Sequence, residues 1–475
     1  LIQAKGNALQ RKTTSVYDAM NRRTSMINAA GAVESYVYDA AGNLIESKLP
    51  TGETLKFEYD VLNRTSKSIS PIQGTTQYFY DGSSNIVRMI DGMGASTFIR
   101  YDSLNRPLQI TDPISGTLRF SYDVQDNLLS TEDARGKITR YEYDLLNRQT
   151  KATNPLLQSY NFTYDARDLL LTSLDAKGQT IKYSYDALSR RTKIESPDDV
   201  INFVYNAVGS LMSASDNDSK IEFSYDALDR PTVDRTVDMG VQPTTSITRT
   251  FDALGRRITL GDSAGGSTQY NYNNLDYLTS IQPSLGGAIS ALYDASGRPT
   301  KVTMASAAVT DYVYDANGRL QSITHNKASG GNILTNNFEY NAVSNVSKVI
   351  EGAIQKQYSY DPMQRLLTGG ATTSPESYSY DAAGNRTTSF LSAAHTVDDA
   401  NRLLDDAQFT YSYDANGNLA SKTRKSDNAQ TSYTFNAFGQ LTGINGPNGL
   451  VVGYHYDAVG RRIEKNVGGQ ITRYI

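Results

Sequence analysis

The chain has 475 residues, with 46 Lys and Arg against 50 Asp and Glu, and lacks the basic surplus that phosphate neutralisation demands, so nucleic acid is not an expected partner. Cysteine is absent, which excludes disulfide scaffolds, thiolate metal sites and cysteine nucleophiles. No apolar run approaches the ~18 residues of a membrane span, and the compositional anomaly is tyrosine, at 33 residues.

Tyrosine recurs on a period. Tyr-Asp stands at Tyr17-Asp18, Tyr38-Asp39 and Tyr59-Asp60, then at Tyr80, Tyr101, Tyr122, Tyr143-Asp144, Tyr164 and Tyr185-Asp186, every interval being 21 residues. The frame continues with substitutions through Tyr205-Asn206, Phe251-Asp252, Tyr314-Asp315, Tyr340-Asn341, Val397-Asp398 and Tyr456-Asp457, giving 22 units. A period in this range is the mark of a repeat architecture. Two intervals of 26, before Phe251 and Tyr340, hold polar segments (Asp234–Thr245 and Asn326–Asn332) that read as longer loops, and short intervals around Val397 mark an irregular unit.

Within a unit, with the motif tyrosine as position zero, the residue two before it is usually aromatic (Tyr36, Phe57, Tyr141) and the one between is polar or small (Glu58, Glu142, Ser184). This is the period-two pattern of a strand with one aromatic face. Next comes Asp-x-x-Gly/Asn-Arg. Asp accepts a backbone N–H two residues on, and the plus-four residue, as at Gly42, Gly255, Gly318 and Gly460, tolerates positive φ, so a hairpin turn with a bulge is expected. The second strand is apolar at plus-six and plus-nine, an odd spacing that also calls for a bulge. A second turn near plus-fourteen is marked by Gly31, Gly52, Gly94, Gly136, Gly178 and Gly265. Each unit is therefore two antiparallel strands and two turns. No helical periodicity of useful length is present.

The polar motif residues have structural roles as their first reading. Four units replace the motif aspartate by Asn206, Asn273, Asn341 or Asn436, which keep the acceptor oxygen and lose the charge; that favours turn capping over metal or acid–base chemistry. The plus-five arginines, among them Arg256, Arg319 and Arg461, are expected to pair with neighbouring carboxylates or stack on tyrosines. His325, His395 and His455 are scattered without metal-ligand spacing, and no nucleophile elbow, phosphate loop or dinucleotide fingerprint exists. No catalytic residue, cofactor or metal is assigned. The aromatic stripes could stack sugars, so glycans are the partner of an alternative reading.

The units Tyr38-Asp-Ala-Ala-Gly-Asn-Leu44, Phe251-Asp-Ala-Leu-Gly-Arg-Arg257, Tyr314-Asp-Ala-Asn-Gly-Arg-Leu320 and Tyr456-Asp-Ala-Val-Gly-Arg-Arg462 resemble the YD repeats of the Rhs proteins, which also occur in the B and C components of bacterial Tc toxins and in teneurins. The resemblance runs from about Tyr17 to Ile475. It implies a spiral β-sheet wound into a hollow shell that, in toxin members, encloses an effector released by self-cleavage. The cleaving core motif Asp-Pro-x-Gly-x-x-x-Gly is absent here: Asp112-Pro113 and Asp361-Pro362 do not continue correctly. Leu1 and Ile475 both fall partway through a unit, so the sequence reads as a segment of a larger protein.

The resulting expectation is an all-β array spanning 1–475, in which tandem two-stranded YD repeats form one continuous antiparallel sheet wound into a spiral hollow shell, with one wet face. It would be a non-enzymatic wall of a bacterial protein that is secreted or at the cell surface. Its partners would be the remainder of its own longer chain and an enclosed effector polypeptide, and the alternative is a cell-surface carbohydrate-binding or adhesion array. A propeller would need alternating unit types, and no odd–even alternation is expected. Tyr143→Ala or Tyr185→Ala should cost about 3–5 kcal/mol if the tyrosines are fully buried.

Overall fold

A computed structural model describes residues 2–3, 12–29, 31–237 and 244–474. Leu1, Ile475 and positions 238–243 of the expected loop Asp234–Thr245 lie outside the described residues; the rest of that segment is not loop, since Asp234–Val237 and Thr245 belong to the paired strands Pro231–Val237 and Thr245–Phe251. Those residues form β-strands joined by turns, with one short 3-10 turn at Pro447–Gly449 and no α-helix among them. The strands pair antiparallel in chain order: Val33–Tyr38 pairs with Leu44–Lys48, which pairs with Thr54–Tyr59 of the next unit. Pairing groups 38 strands into one antiparallel sheet and the last nine into another, a continuous ladder in place of separate propeller blades. The break falls at the irregular unit, where the strands Thr396–Val397 and Leu403–Asp405 are short.

The motif turn and the bulge recur from Tyr17 to Tyr456. Tyr38 pairs with Leu44 and Val37 with Glu46, so Ile45 is the extra residue. Inserting one residue at plus-seven brings plus-six and plus-nine opposite the two aromatics, as Leu44 and Ser47 lie opposite Tyr38 and Tyr36. All 22 plus-four residues have positive φ, from Asn63 at 58° to Gly209 at 99°, and Ser189 and Gln364 are included.

The second long-loop expectation is overturned. Asn326–Asn332 is not a longer loop. Its turn is Lys327–Gly331, closed by the same bond between a backbone N–H and the carbonyl four residues on as elsewhere, and the extra residues lengthen the flanking strands Leu320–Asn326 and Asn332–Tyr340. Asn326 and Asn332 pair across the strands, and their side-chain amides donate to Asp311 and Thr335, so polarity there does not signal a loop.

The chain divides into two compact units. Unit 1 is Leu1–Thr117, Phe251–Thr259 and Gly266–Tyr378; unit 2 is Leu118–Thr250, Leu260–Gly265 and Ser379–Ile475. Burial alternates along the strands: in Thr54–Tyr59, Phe57 and Tyr59 are half-buried while Lys56 and Glu58 are exposed. The seven buried hydrophobic side chains described all belong to unit 2, where Ile194, Ile201, Ala214, Ile221 and Ala458 cluster. Most of the array is therefore held by its ladder and by repeated side-chain bonds, more than by a dry core.

Candidate functional site

The hairpin at Asp144 shows how the motif works. The Oδ1 of Asp144 accepts the backbone N–H of Leu146 at 2.9 Å and of Arg148 at 3.1 Å, and its Oδ2 accepts the Arg148 Nε–H at 2.8 Å. The same guanidinium donates through Nη1 to the Asp165 carbonyl at 2.8 Å and to Asp168 Oδ1 at 2.9 Å, and its carbon stands 4.9 Å from the centre of the Tyr164 ring. Tyr164 donates its hydroxyl to the Gln149 carbonyl at 2.8 Å. One arginine thus locks its own turn, binds the next turn and covers the next motif tyrosine, while that tyrosine reaches back.

The pattern repeats. Asp18, Asp60 and Asp186 each accept two backbone N–H groups and an arginine Nε–H. Asp315 and Asp457 do the same with Arg319 and Arg461. Arg256 binds Asp252, the Asn273 carbonyl and Asp276. Tyr38, Tyr59, Tyr185, Tyr314 and Tyr456 all donate to a carbonyl 15 residues back, the plus-six position of the preceding unit. Tyr143 holds the equivalent place, paired with Gln149. Gly42, Gly255, Gly318 and Gly460 sit at the positive-φ corner with φ of 94°, 80°, 76° and 83°. At Tyr17, 55% exposed, the packing is thinner.

The motif carboxyls of Asp18, Asp60, Asp144 and Asp186 are held below the usual carboxylate range. For Asp18, Asp60 and Asp186 the leading cause is the backbone N–H bond, reinforced by the guanidinium; for Asp144 the guanidinium leads. Asn206 and Asn436 keep the pair of backbone acceptor bonds without the charge. Asp144→Asn should therefore lower the thermal midpoint much less than Asp144→Ala, because only the alanine leaves the Leu146 and Arg148 N–H groups without their side-chain acceptor. Equal losses in a melting experiment would show that charge, and not turn capping, is the function of this position.

A two-unit alternation is present, contrary to expectation. Plus-five runs Arg22, Asn43, Arg64, Asn85, Arg106, Asn127, Arg148. Asn43 donates Nδ2–H to both Asp39 Oδ2 and Asn63 Oδ1, each at 2.9 Å, and Asn85 and Asn127 do likewise toward Asn105 and Asn147. A short amide needs an oxygen-bearing side chain at the next corner, whereas arginine reaches the backbone carbonyl and tolerates Gly42 there. Two bridging chemistries alternate along a sheet that stays continuous.

The tyrosines are half-buried, and burial raises the pKa of Tyr59, Tyr143 and Tyr314. The expected cost of their truncation is corrected accordingly. Tyr185→Ala should lose about 2–3 kcal/mol, below the range for a fully buried aromatic, and Tyr185→Phe about 1 kcal/mol for the lost bond to the Leu170 carbonyl. Hydrogen exchange in the hairpin around Leu170 is the measurement that separates the two. At Tyr38, Tyr80, Tyr164 and Tyr314 an arginine guanidinium covers one face of the ring, which leaves less of that ring for a sugar to stack on.

Turns also meet turns far away in sequence. In unit 1, the buried Glu53 of a second turn lies 3.4 Å from Arg298 of a motif turn, and Gln364 reaches Asp91. In unit 2, Arg135 donates to the Asp398 carbonyl and Asn401, Lys137 pairs with Asp399, Asn416 bonds Asp175, and Asp198 accepts the Ala437 N–H. Within each unit, second turns of early repeats thus dock on motif turns about 240–270 residues later.

In unit 2 this docking leaves a cavity of about 760 Å³ lined by Phe203, Phe438, Tyr454, Asp216, Asp218 and His455. Burial, with the nearby Asp199 charge, pushes Asp216 up to about 6 against its bonds from Ser219. His455 Nδ1 lies 3.4 Å from Asp218. His325 bonds Thr310 and His395 bonds Ser389, so the three histidines are apart.

A family model described as teneurin YD-shell matches residues 324–475, and one described as RHS repeat matches 38–71, 101–138, 122–156, 164–201 and 293–331. Comparison with curated proteins gives no match. Among solved structures, TcdB2-TccC3-Cdc42 is similar at 15% identity and a TM-score of 0.64, TcdB2-TccC3 without its hypervariable C-terminal region at 16% and 0.63, and the Photorhabdus luminescens Tc holotoxin pore at 15% and 0.64. Each covers 96% of this chain, and this chain spans 29% of each. At that identity the likeness is one of fold.

Proposed function

The chain is a YD-repeat protein of the RHS and teneurin-shell type, and from that premise we propose that it is a non-enzymatic wall segment of a shell enclosing or shielding a toxin or effector polypeptide. The observation that carries the reading is the fold shared with the Tc toxin structures along 96% of the chain. The repeat bonding supports it: backbone ladders, arginine or asparagine bridges and tyrosine latches tie successive repeats together along most of the array, which suits a stiff partition better than a mobile active site. The motif carboxylates have their oxygens occupied by backbone and guanidinium donors, which leaves them poor candidates for acid–base work. The protein would be secreted or displayed at a bacterial surface, with the remainder of a longer chain and the guest as its partners.

Trypsin digestion of the protein as purified from its producer tests this. The expected result is a further polypeptide, covalent or bound, that resists cleavage while the array is intact and is cut once the array is opened with urea. An intact array that shields nothing would overturn the reading.

A further inference from the structure

The sheet face that carries the minus-one residues breaks its pattern at one place. Phe79, at minus-one, and Phe98, at minus-three, are the only Phe or Tyr at those positions in the 22 units, and Arg88 is the only arginine at plus-eight. The ladder brings the three exceptions together. Arg88 of the strand Ile86–Ile90 pairs with Phe79 of Gly74–Tyr80 on one side and with Phe98 of Ser96–Tyr101 on the other. Its guanidinium carbon stands 5.4 Å from the centre of the Phe79 ring and 5.3 Å from that of Phe98. The two side chains are still 41% and 47% exposed. Paired strands flank this row on both sides (Thr65–Ser70 and Pro107–Thr111), so the exposure is that of the sheet's face and not of an edge. A lone exposed apolar side chain is ordinary; two on one row, either side of a cation, make a contiguous patch.

The guanidinium is held but not neutralised. Its Nη2 donates to Ser96 Oγ at 3.1 Å, while its Nε is buried without an acceptor. No described carboxylate pairs with Arg88 or with the exposed Arg100, two residues beyond Phe98 on the same face, and Glu58 on that face is already bonded to Lys67 at 2.9 Å. Two ring contacts orient the cation in advance, so an incoming anion meets a preformed donor. Ser96 and Phe98 also line a cavity of about 520 Å³ with Met93, Pro113, Tyr360 and Pro362. The carboxylates of that cavity, Asp112 and Asp361, are engaged by N–H groups of their own turns, and Asp361 also by Arg365. We propose that the row of Phe79, Arg88 and Phe98 is a docking site for an acidic polypeptide segment, whose carboxylate meets Arg88 and Arg100 and whose neighbouring apolar side chain enters the cavity beside Phe98. Charge decides the class of partner: the two cations supply only donors, with no carboxylate beside them, which suits an anion better than a neutral sugar. An arginine set between exposed aromatics is also the composition that dominates protein–protein contacts.

Fluorescence anisotropy of the full chain with a fluorescein-labelled Gly-Ser-Leu-Glu-Phe-Glu-Leu-Ser-Gly peptide tests this. Saturable binding that weakens as salt rises is expected, and the same peptide with Gln for Glu should bind about tenfold more weakly. Arg88→Ser and, separately, Phe98→Thr should each weaken binding of the acidic peptide by about tenfold. Both introduce residues that the repeat carries elsewhere at those positions (Ser25 and Ser130 at plus-eight, Thr14 and Thr248 at minus-three), so circular dichroism and melting should be unchanged. Arg140→Ser, at an exposed arginine paired with Ser130 and Thr153 in place of aromatics, should leave binding as it is. The probe is a free peptide, so the outcome is separate from whether the array encloses a guest. No saturable binding, equal binding of the Gln peptide, indifference to Arg88→Ser, or preference for an oligogalacturonate over the acidic peptide would overturn the proposal.

Discussion

Ile221→Ala is expected to destabilise unit 2 by about 3 kcal/mol, within the 2–5 kcal/mol range for truncating a buried isoleucine. Ile221 is fully buried, in an array where most side chains are half-exposed. It faces Ala214 across the ladder, also fully buried, and both belong to the cluster that holds Ala458 from a motif turn 237 residues later (458 less 221). The backbone N–H of Ala458 bonds Ser219 Oγ at 3.2 Å, so the later turn is pinned over the site and cannot collapse freely into the space an alanine would leave. The loss should be local. Repeat arrays depart from two-state unfolding, so the measurement is hydrogen exchange of amides between Val200 and Tyr225, not a single global midpoint. Ile221→Val should cost about 1 kcal/mol, and Leu146→Ser, on an exposed turn, less than about 0.5 kcal/mol. Equal effects at Ile221 and Leu146 would mean that the cluster is not a core.

The parts legible in the sequence were those with a short period. Tyr-Asp at 21-residue spacing, an aromatic two residues earlier and Gly or Asn at plus-four fix the hairpin, its handed corner and the bulge, because each depends on residues within one unit. The tyrosine hydroxyl partner was hidden: the Leu170 carbonyl accepts from Tyr185 only because a neighbouring unit is placed beside it in a given register, and a carbonyl has no sequence identity. The Arg/Asn alternation was visible from Arg22 to Arg148 but carries no meaning until the side chains are seen to bridge successive turns. The docking of Asp198 on Ala437 could not be read at all, since nothing local marks a contact 239 residues away. Composition misled at Asn326–Asn332, where Asn, Ser and Gly suggested a loop and pairing across longer strands prevailed.

Acidification should produce a stability maximum near pH 4–5 and a steep loss below it. Two opposed effects set this shape. Motif carboxyls such as Asp18, Asp60, Asp144 and Asp186 have folded pKa values below the reference of 3.8, so they bind fewer protons folded than unfolded in that range. Their contribution is complete above about pH 4 and is lost as pH falls through the folded values. Asp216 has the reverse sign. Burial raises it to about 6, so the folded state binds the extra proton between about pH 4 and pH 6, and its contribution declines as pH rises through that window. The acid limb involves many turns together and should melt the array broadly, since each protonated aspartate loses both its charge on arginine and part of its hold on two N–H groups. The shallower limb belongs to one site in unit 2. Thermal midpoints measured from about pH 3 to pH 8 should therefore rise gently on acidification toward pH 5 and collapse below pH 4. Asp216→Asn should flatten the gentle limb and leave the collapse in place, whereas Asp144→Asn should leave the gentle limb unchanged. A midpoint that stays level down to pH 3 would show that the carboxylate bonds are not what holds the turns.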